Sequence, residues 1–240
     1  MNHLVRPWLP AGILAILVFL PSSASAGMSP EEVKAFEGDK AMALKGDPVA
    51  QTNLGVCYEQ GNGVVKDAVE AAKWYRKAAD QGNSLAQFNL GVCYDNGQGV
   101  AKDEVEAAKW WRKAAEQGEA IAQFNLGCSY DNGEGVAKDQ IEAVKWWRKA
   151  ADQGLANAQS NLGLCYANGE GVAKDQVEAY AYFTLAGFTE VDARKNRVIL
   201  EKTLSPVAVL LGQQRTKELH KEIEAKFAAK QAEDAKKAVK

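Results

Sequence analysis

The chain has 240 residues, with 29 Lys and Arg against 31 Asp and Glu and a net charge of -2. That balance argues against a nucleic-acid surface, which needs a basic face. Only 6 Pro, 47% apolar residues and a regular spacing argue against a disordered chain.

The first segment reads as a signal peptide, residues 1–26. Arg6 is the only basic residue before Pro10, and Ala11 to Leu20 is an apolar run too short to span a bilayer as a stable helix. Ala24, Ser25 and Ala26 form an A-x-A site before Gly27, the layout of a cleaved secretory leader. No later stretch is apolar enough to cross a membrane. The mature chain is therefore expected to be periplasmic or secreted, with no membrane span after cleavage.

From Gly27 the chain is periodic. Gly46, Gly82, Gly118 and Gly154 recur every 36 residues, and Tyr58, Tyr94, Tyr130 and Tyr166 keep the same step, as do Trp74, Trp110 and Trp146. A fixed period in this range signals stacked supersecondary units. Residues 27–46 read as a degenerate half-repeat whose end lines up with the end of the first full unit. Full repeats follow at 47–82, 83–118, 119–154 and 155–190. In the first, Asp47 caps a helix A with Pro48 at its first position. Ala50, Leu54, Cys57 and Tyr58 share one face of it. Gly61, Asn62 and Gly63 end it, because glycine supplies the left-handed conformation a helix C-terminus favours. Asp67 caps a helix B with Ala71, Trp74, Tyr75, Ala78 and Ala79 on its apolar face. Gly55, Gly91, Gly127 and Gly163 fall inside helix A, where Gly costs about 1 kcal/mol against Ala. That cost predicts close contact between helices A and B.

In the fourth repeat Lys109 and Arg112 of the second become Ala181 and Thr184. The last helix B thus has an apolar outer face, and something must pack over it. Residues 191–228 supply capping helices, the last with Val207, Leu211, Leu219, Ile223 and Phe227 on one face. Residues 229–240 are a charged tail with little to bury. The fold class is all-α, an α-solenoid of helix-turn-helix repeats closed by a C-terminal capping helix.

Three of the four Cys (Cys57, Cys93 and Cys165) share one repeat position; Ser129 takes it in the third repeat, beside Cys128. Equivalent places on stacked helices lie about 8–10 Å apart, whereas a disulfide needs Cα atoms within about 7 Å. Buried thiols acting as small apolar residues fit this better than cross-repeat disulfides. His3 and His220 are the only histidines, so no Ser–His or Cys–His pair can form inside the repeats. The Cys spacing does not suit zinc, and the Gly-rich loops lack the ligand pattern of a calcium site. No cofactor, no metal and no catalytic residue is expected, and the protein is read as a non-enzyme.

The unit A-x-x-N-L-G-x-C-Y-x-x-G-x-G-V-x-K-D-x-x-E-A-x-x-W-x-R-K-A-A-x-Q-G resembles the Sel-one-like repeat, a relative of the tetratricopeptide repeat, from Asp47 to about Glu190. The resemblance implies a right-handed superhelix of paired helices, a right-handed α-solenoid, with a concave groove lined by helix A, and a role as a scaffold or adaptor for other proteins of the cell envelope or a host. In a cysteine-rich branch of the family it implies binding or hydrolysis of β-lactams, with disulfides between helices A and B of each repeat. Here Ala78, Ala114 and Ala150 stand where the second Cys would be, and Ser129 breaks the first series. A purely structural spacer is a third reading.

Helix A carries a second stripe, away from the core, where the repeats differ most. Its candidate partner-binding residues are Thr52 and Asn53; Leu85, Phe88, Asn89 and Val92; Ile121, Phe124, Asn125 and Cys128; and Ser160 and Asn161. The ladder of Asn53, Asn89, Asn125 and Asn161, flanked by two Phe, suits the backbone of a protein or peptide partner. Packing between repeats is the competing use of the same residues.

Overall fold

A computed structural model describes residues 29–238. It is all-helical, and the described residues contain eleven helices and no strand. The signal-like segment lies outside the described residues. In chain order they are α1 (Pro30–Leu44), α2 (Pro48–Gln60), α3 (Ala68–Asp80), α4 (Ser84–Asn96), α5 (Glu104–Glu116), α6 (Ala120–Asn132), α7 (Gln140–Ala151), α8 (Ala156–Asn168), α9 (Gln176–Ala186), α10 (Val191–Glu201) and α11 (Pro206–Ala238).

Each boundary has a local cause. Asp47, Asp67, Asp103, Asp139 and Asp175 stand in extended backbone and accept hydrogen bonds from the first free N–H groups of α2, α3, α5, α7 and α9. Ser29 and Glu32 close α1 with a reciprocal capping box. Gly61, Gly97 and Gly169 end α2, α4 and α8 in the left-handed conformation. The second glycine of each loop has a different task. Gly63 and Gly99 combine positive φ with backbone packed against the carbonyls of Glu32 and Ala68, where a Cβ would overlap the carbonyl oxygen. Glu32 and Ala68 are 36 residues apart, so α1 meets the first loop as α3 meets the second.

The described chain forms two compact units, with the division inside α6. In the first, which runs to Asn125 and includes 134–137, α1 packs on α2, α2 on α3, α3 on α4 and α4 on α5. Leu54, Leu90, Tyr75 and Trp111 are buried in it. The glycine inside each helix A is explained here. A Cβ on Gly55 would lie 2.5 Å from the Tyr75 ring, and one on Gly91 would lie 2.5 Å from the Trp111 ring. The aromatic side chain of helix B rests on bare helix A backbone, so the propensity lost to glycine is offset by the contact.

In the second unit, which holds Leu126–Gly133 and the chain from Lys138, α7 packs on α8, α8 on α9, and α10 and α11 both pack on α9. Gly127 and Gly163 receive Trp147 and Phe183 in the same way. The cover over α9 that Ala181 and Thr184 required is present. Its contact face differs from the expected one. Leu219 is buried and Ile223 half-buried, but Val207, Leu211 and Phe227 are exposed. Gly212 sets the approach instead: a Cβ there would be 2.5 Å from the Tyr180 ring, so the side of α11 that carries the glycine turns inward with Val209 beside it. The helix then continues to Ala238.

A glutamine relay ties successive units of the repeat. Gln51, Gln87, Gln123 and Gln159, all buried, donate from Nε2 to the carbonyls of Ala43, Ala79, Ala115 and Ala151, at 3.1, 3.1, 3.0 and 3.4 Å. These carbonyls belong to the last turn of the preceding helix and also accept from the N–H groups of Gly46, Gly82, Gly118 and Gly154, at 3.0, 3.0, 3.0 and 2.9 Å. Gln81 and Gln117 then donate to the Oε1 atoms of Gln51 and Gln87, each at 2.7 Å. A buried hydrogen bond of this kind contributes about 1 kcal/mol, and leaving its partner unmet costs more.

Candidate functional site

The helix A stripe is set by the same capping and glycine contacts that fix the core. With one side of each helix A pressed on helix B, the residues one or two positions away are presented elsewhere. Within the first unit the accessible part is Val49 (59% exposed) and Asn53 on α2, and Leu85 (44% exposed) with half-buried Asn89 on α4. Thr52, Phe88, Val92, Ile121, Phe124 and Asn125 are buried. In the second unit Cys128 and Ser160 are buried and Asn161 is half-buried. The stripe is therefore mixed: both its buried part and its exposed margin combine apolar and polar side chains.

The polar groups are unequally satisfied. Thr52 donates from Oγ1 to the carbonyl of Pro48 at 2.7 Å, and Asn53 donates from Nδ2 to Asp39 at 3.3 Å. Asn125 is 1% exposed and its Nδ2 has no hydrogen-bond partner; the Oγ of Ser160, also at 1%, has none either. A buried donor without an acceptor is costly.

Burial is the main influence on the shifted titratable groups near helices A. Burial pushes the Cys93 thiol up to about 12, with Glu59 adding to the effect, so it stays protonated at neutral pH. Burial and then Asp39 raise Cys57 as well. Both are free thiols, Cys93 buried and Cys57 only half-buried, whereas the sequence led us to expect all of this series inside. Tyr75 is raised by burial and by Glu59, which accepts its hydroxyl hydrogen at 2.7 Å. Asp95, half-buried at the end of α4, is raised to about 6, chiefly by burial; Lys102 opposes the rise and Glu134 and Glu104 add to it. Among the described residues no group of three His, Cys, Asp or Glu side chains is placed to hold a metal ion.

Two sets of structural residues escape a reading of apolar periodicity. One is the glutamine relay; its signal is a Gln at the same place in all four repeats, amid apolar neighbours. The other is a series of cation–aromatic contacts. Arg76 donates to the Tyr94 hydroxyl and also lies over the Trp110 ring, 5.1 Å from its centre. Arg148 donates to Tyr166 at 2.5 Å. Lys77, Lys113 and Lys149 lie 3.7, 3.7 and 3.8 Å over Trp74, Trp110 and Trp146. The lysines and Arg76 lie over the faces of the Trp rings, where the ring quadrupole attracts a cation.

Paired helices on a 36-residue step, glycine-seated aromatics and a variable helix A face define a helical-repeat protein of the solenoid class. The chain belongs to the Sel1 repeat family: the Sel1 repeat matches at residues 48–83, 84–119, 120–155 and 156–187. It is similar to a Sel1 repeat protein from Oxalobacter formigenes, with 36% identity over 81% of this chain and 82% of that one and a TM-score of 0.65. It also resembles c5321, a protective antigen of uropathogenic Escherichia coli strains with an SLR fold, at 33% identity and a TM-score of 0.55; the match covers 84% of this chain and 51% of c5321. None of the curated proteins matches. Sel1 repeat proteins are generally protein-interaction scaffolds, and the repeat is generally non-catalytic. No described helix is long and apolar enough to cross a membrane.

Proposed function

We propose that this protein is an exported scaffold that binds a partner protein or peptide through the helix A stripe, in the periplasm or outside the cell. The signal-like first 26 residues support export. The observation that supports the binding reading is the accessible margin of the stripe in the first unit, where exposed Val49 and Leu85 lie among the amides of Asn53 and half-buried Asn89. A partner backbone laid along the accessible margin would meet Leu85 and Val49 with apolar side chains and the asparagine amides with carbonyl oxygens. Recognition involves no covalent step.

Quantitative crosslinking in the native envelope tests this with two variants. Leu85→Glu puts a charge on the exposed margin without touching the core, and Asn89→Ala removes one amide. Each is expected to lower recovery of the crosslinked partner about tenfold at unchanged thermal stability. Recovery equal to that of the parent protein in both variants would exclude the stripe as the binding face.

A further inference from the structure

We propose a second docking site: the groove between the first turn of α7 and the loop 169–173 holds a segment of a partner protein in which an aliphatic side chain is flanked by carboxylates. The groove is broadly open to solvent, has a volume of about 700 Å³ and is lined by Lys138, Asp139, Gln140, Ile141, Gly169, Gly171, Val172 and Ala173. That volume is in the range of ligand pockets and has room for one or two side chains. Its depth depends on glycine. Gly171 has φ +68 and lies against the Gln140 carbonyl, and a Cβ there would also press on Val144.

The groove offers two chemical features. The first is apolar: Ile141 is 59% exposed at the edge, with Val172 and Ala173 opposite. A single exposed aliphatic side chain is ordinary. Here the position repeats, since Val33, Val69 and Val105 precede Ile141 at steps of 36 and are 38%, 50% and 49% exposed. The second feature is charge. The Asp139 carboxylate is occupied, accepting from the N–H groups of Ile141 and Glu142 at 3.0 Å each, so it also closes the helix terminus to outside anions. Glu142 is engaged by Lys145 at 2.5 Å. Lys138 has no ion-pair partner among the described residues. Its counterpart Lys102 pairs with Glu104 at 3.0 Å, and Gln140 stands where that glutamate would be. An uncompensated ammonium beside a bare aliphatic side chain is complementary to a carboxylate next to an aliphatic residue. A basic or polar segment would leave one or both features unmatched.

This site is independent of the helix A stripe, and so is its test. The full mature chain, labelled with nitrogen-15, is titrated with the capped peptide Gly-Gly-Glu-Ile-Glu-Gly-Gly. Saturable amide shifts are expected at Ile141, Gly169, Gly171 and Val172. Gln140→Glu supplies Lys138 with the internal partner that Lys102 has, and should weaken binding about fivefold. Ile141→Ser should weaken it about tenfold. A Lys-Ile-Lys version of the peptide should give no saturable shift, and Leu85→Glu should leave the titration unchanged. Scattered or absent shifts, equal binding of the Lys-Ile-Lys peptide, or full affinity in Gln140→Glu would each overturn the proposal.

Discussion

α7 and α9 hold the same place in consecutive repeats, yet they meet solvent differently. α7 presents Lys145, Arg148 and Lys149, all exposed, with the last lying over Trp146. At those positions α9 has Ala181 and Leu185, both buried, and half-buried Thr184. Glu178 receives Arg215 of α11 at 2.9 Å, whereas its counterpart Glu142 holds Lys145 of its own helix. The inner faces, by contrast, are alike: Trp147 rests on Gly127 as Phe183 rests on Gly163. Between these two helices the ring-on-glycine contact is kept, and the outer face changes where α11 arrives.

The largest effect should come from breaking what the two helices share. Trp147→Ala and Phe183→Ala each remove a buried ring and leave a cavity over glycine, and each should cost about 3–5 kcal/mol. Calorimetry or chemical denaturation of both variants measures this. A cost below about 1 kcal/mol at either place would mean that the ring-on-glycine contact does not hold the pair of helices together.

A smaller, more local effect should follow from breaking what only α9 has. Gly212→Val drives a branched side chain against the Tyr180 ring, which a Cβ alone would already approach at 2.5 Å. Overpacking of this kind costs about 1–3 kcal/mol. Hydrogen exchange should quicken in α11 and in the outer residues of α9 while α7 keeps its protection. Loss of protection throughout α7 would show that the cover is part of the core.

The two helices also show what a sequence reveals. The glycine inside helix A was legible because a glycine costs helix stability, so its recurrence had to have a structural return; the return is the aromatic of helix B. The cover over α9 was legible because Ala181 and Thr184 break a charged pattern. The face α11 would use was not. Val207, Leu211 and Phe227 are the large apolar residues, yet the contact forms where Gly212 allows the closest approach. Apolar periodicity weighs side-chain size and is blind to a contact made by absence of a side chain. The glutamine relay was hidden for a related reason: Gln51 and its counterparts are polar, and only the backbone carbonyls above them explain their burial. Of the stripe, spacing identified the variable positions. It did not separate exposed Leu85 from buried Phe88, three residues along the same helix.

The smallest effect concerns the far half of α11. There Lys226 pairs with Asp152 at 2.7 Å and Lys230 donates to Gln153 at 3.1 Å, both at the C-terminal end of α7. The lysine also faces the partial negative charge of that helix terminus. Lys226 is 53% exposed and Asp152 35%, so water and salt screen the pair. Asp152→Asn should therefore change global stability by less than about 0.5 kcal/mol. Its local consequence is sharper. Phe227, next to the pair, is already 57% exposed, so little apolar contact remains there to hold the helix once the charge is removed. Exchange should quicken from about Ile223 onward in Asp152→Asn, and the parent protein should match it in about 0.5 M salt, where the screening length falls to a few Å. Protection that survives both changes would mean that the far half of α11 is held by its own helical hydrogen bonds and needs no anchor on α7.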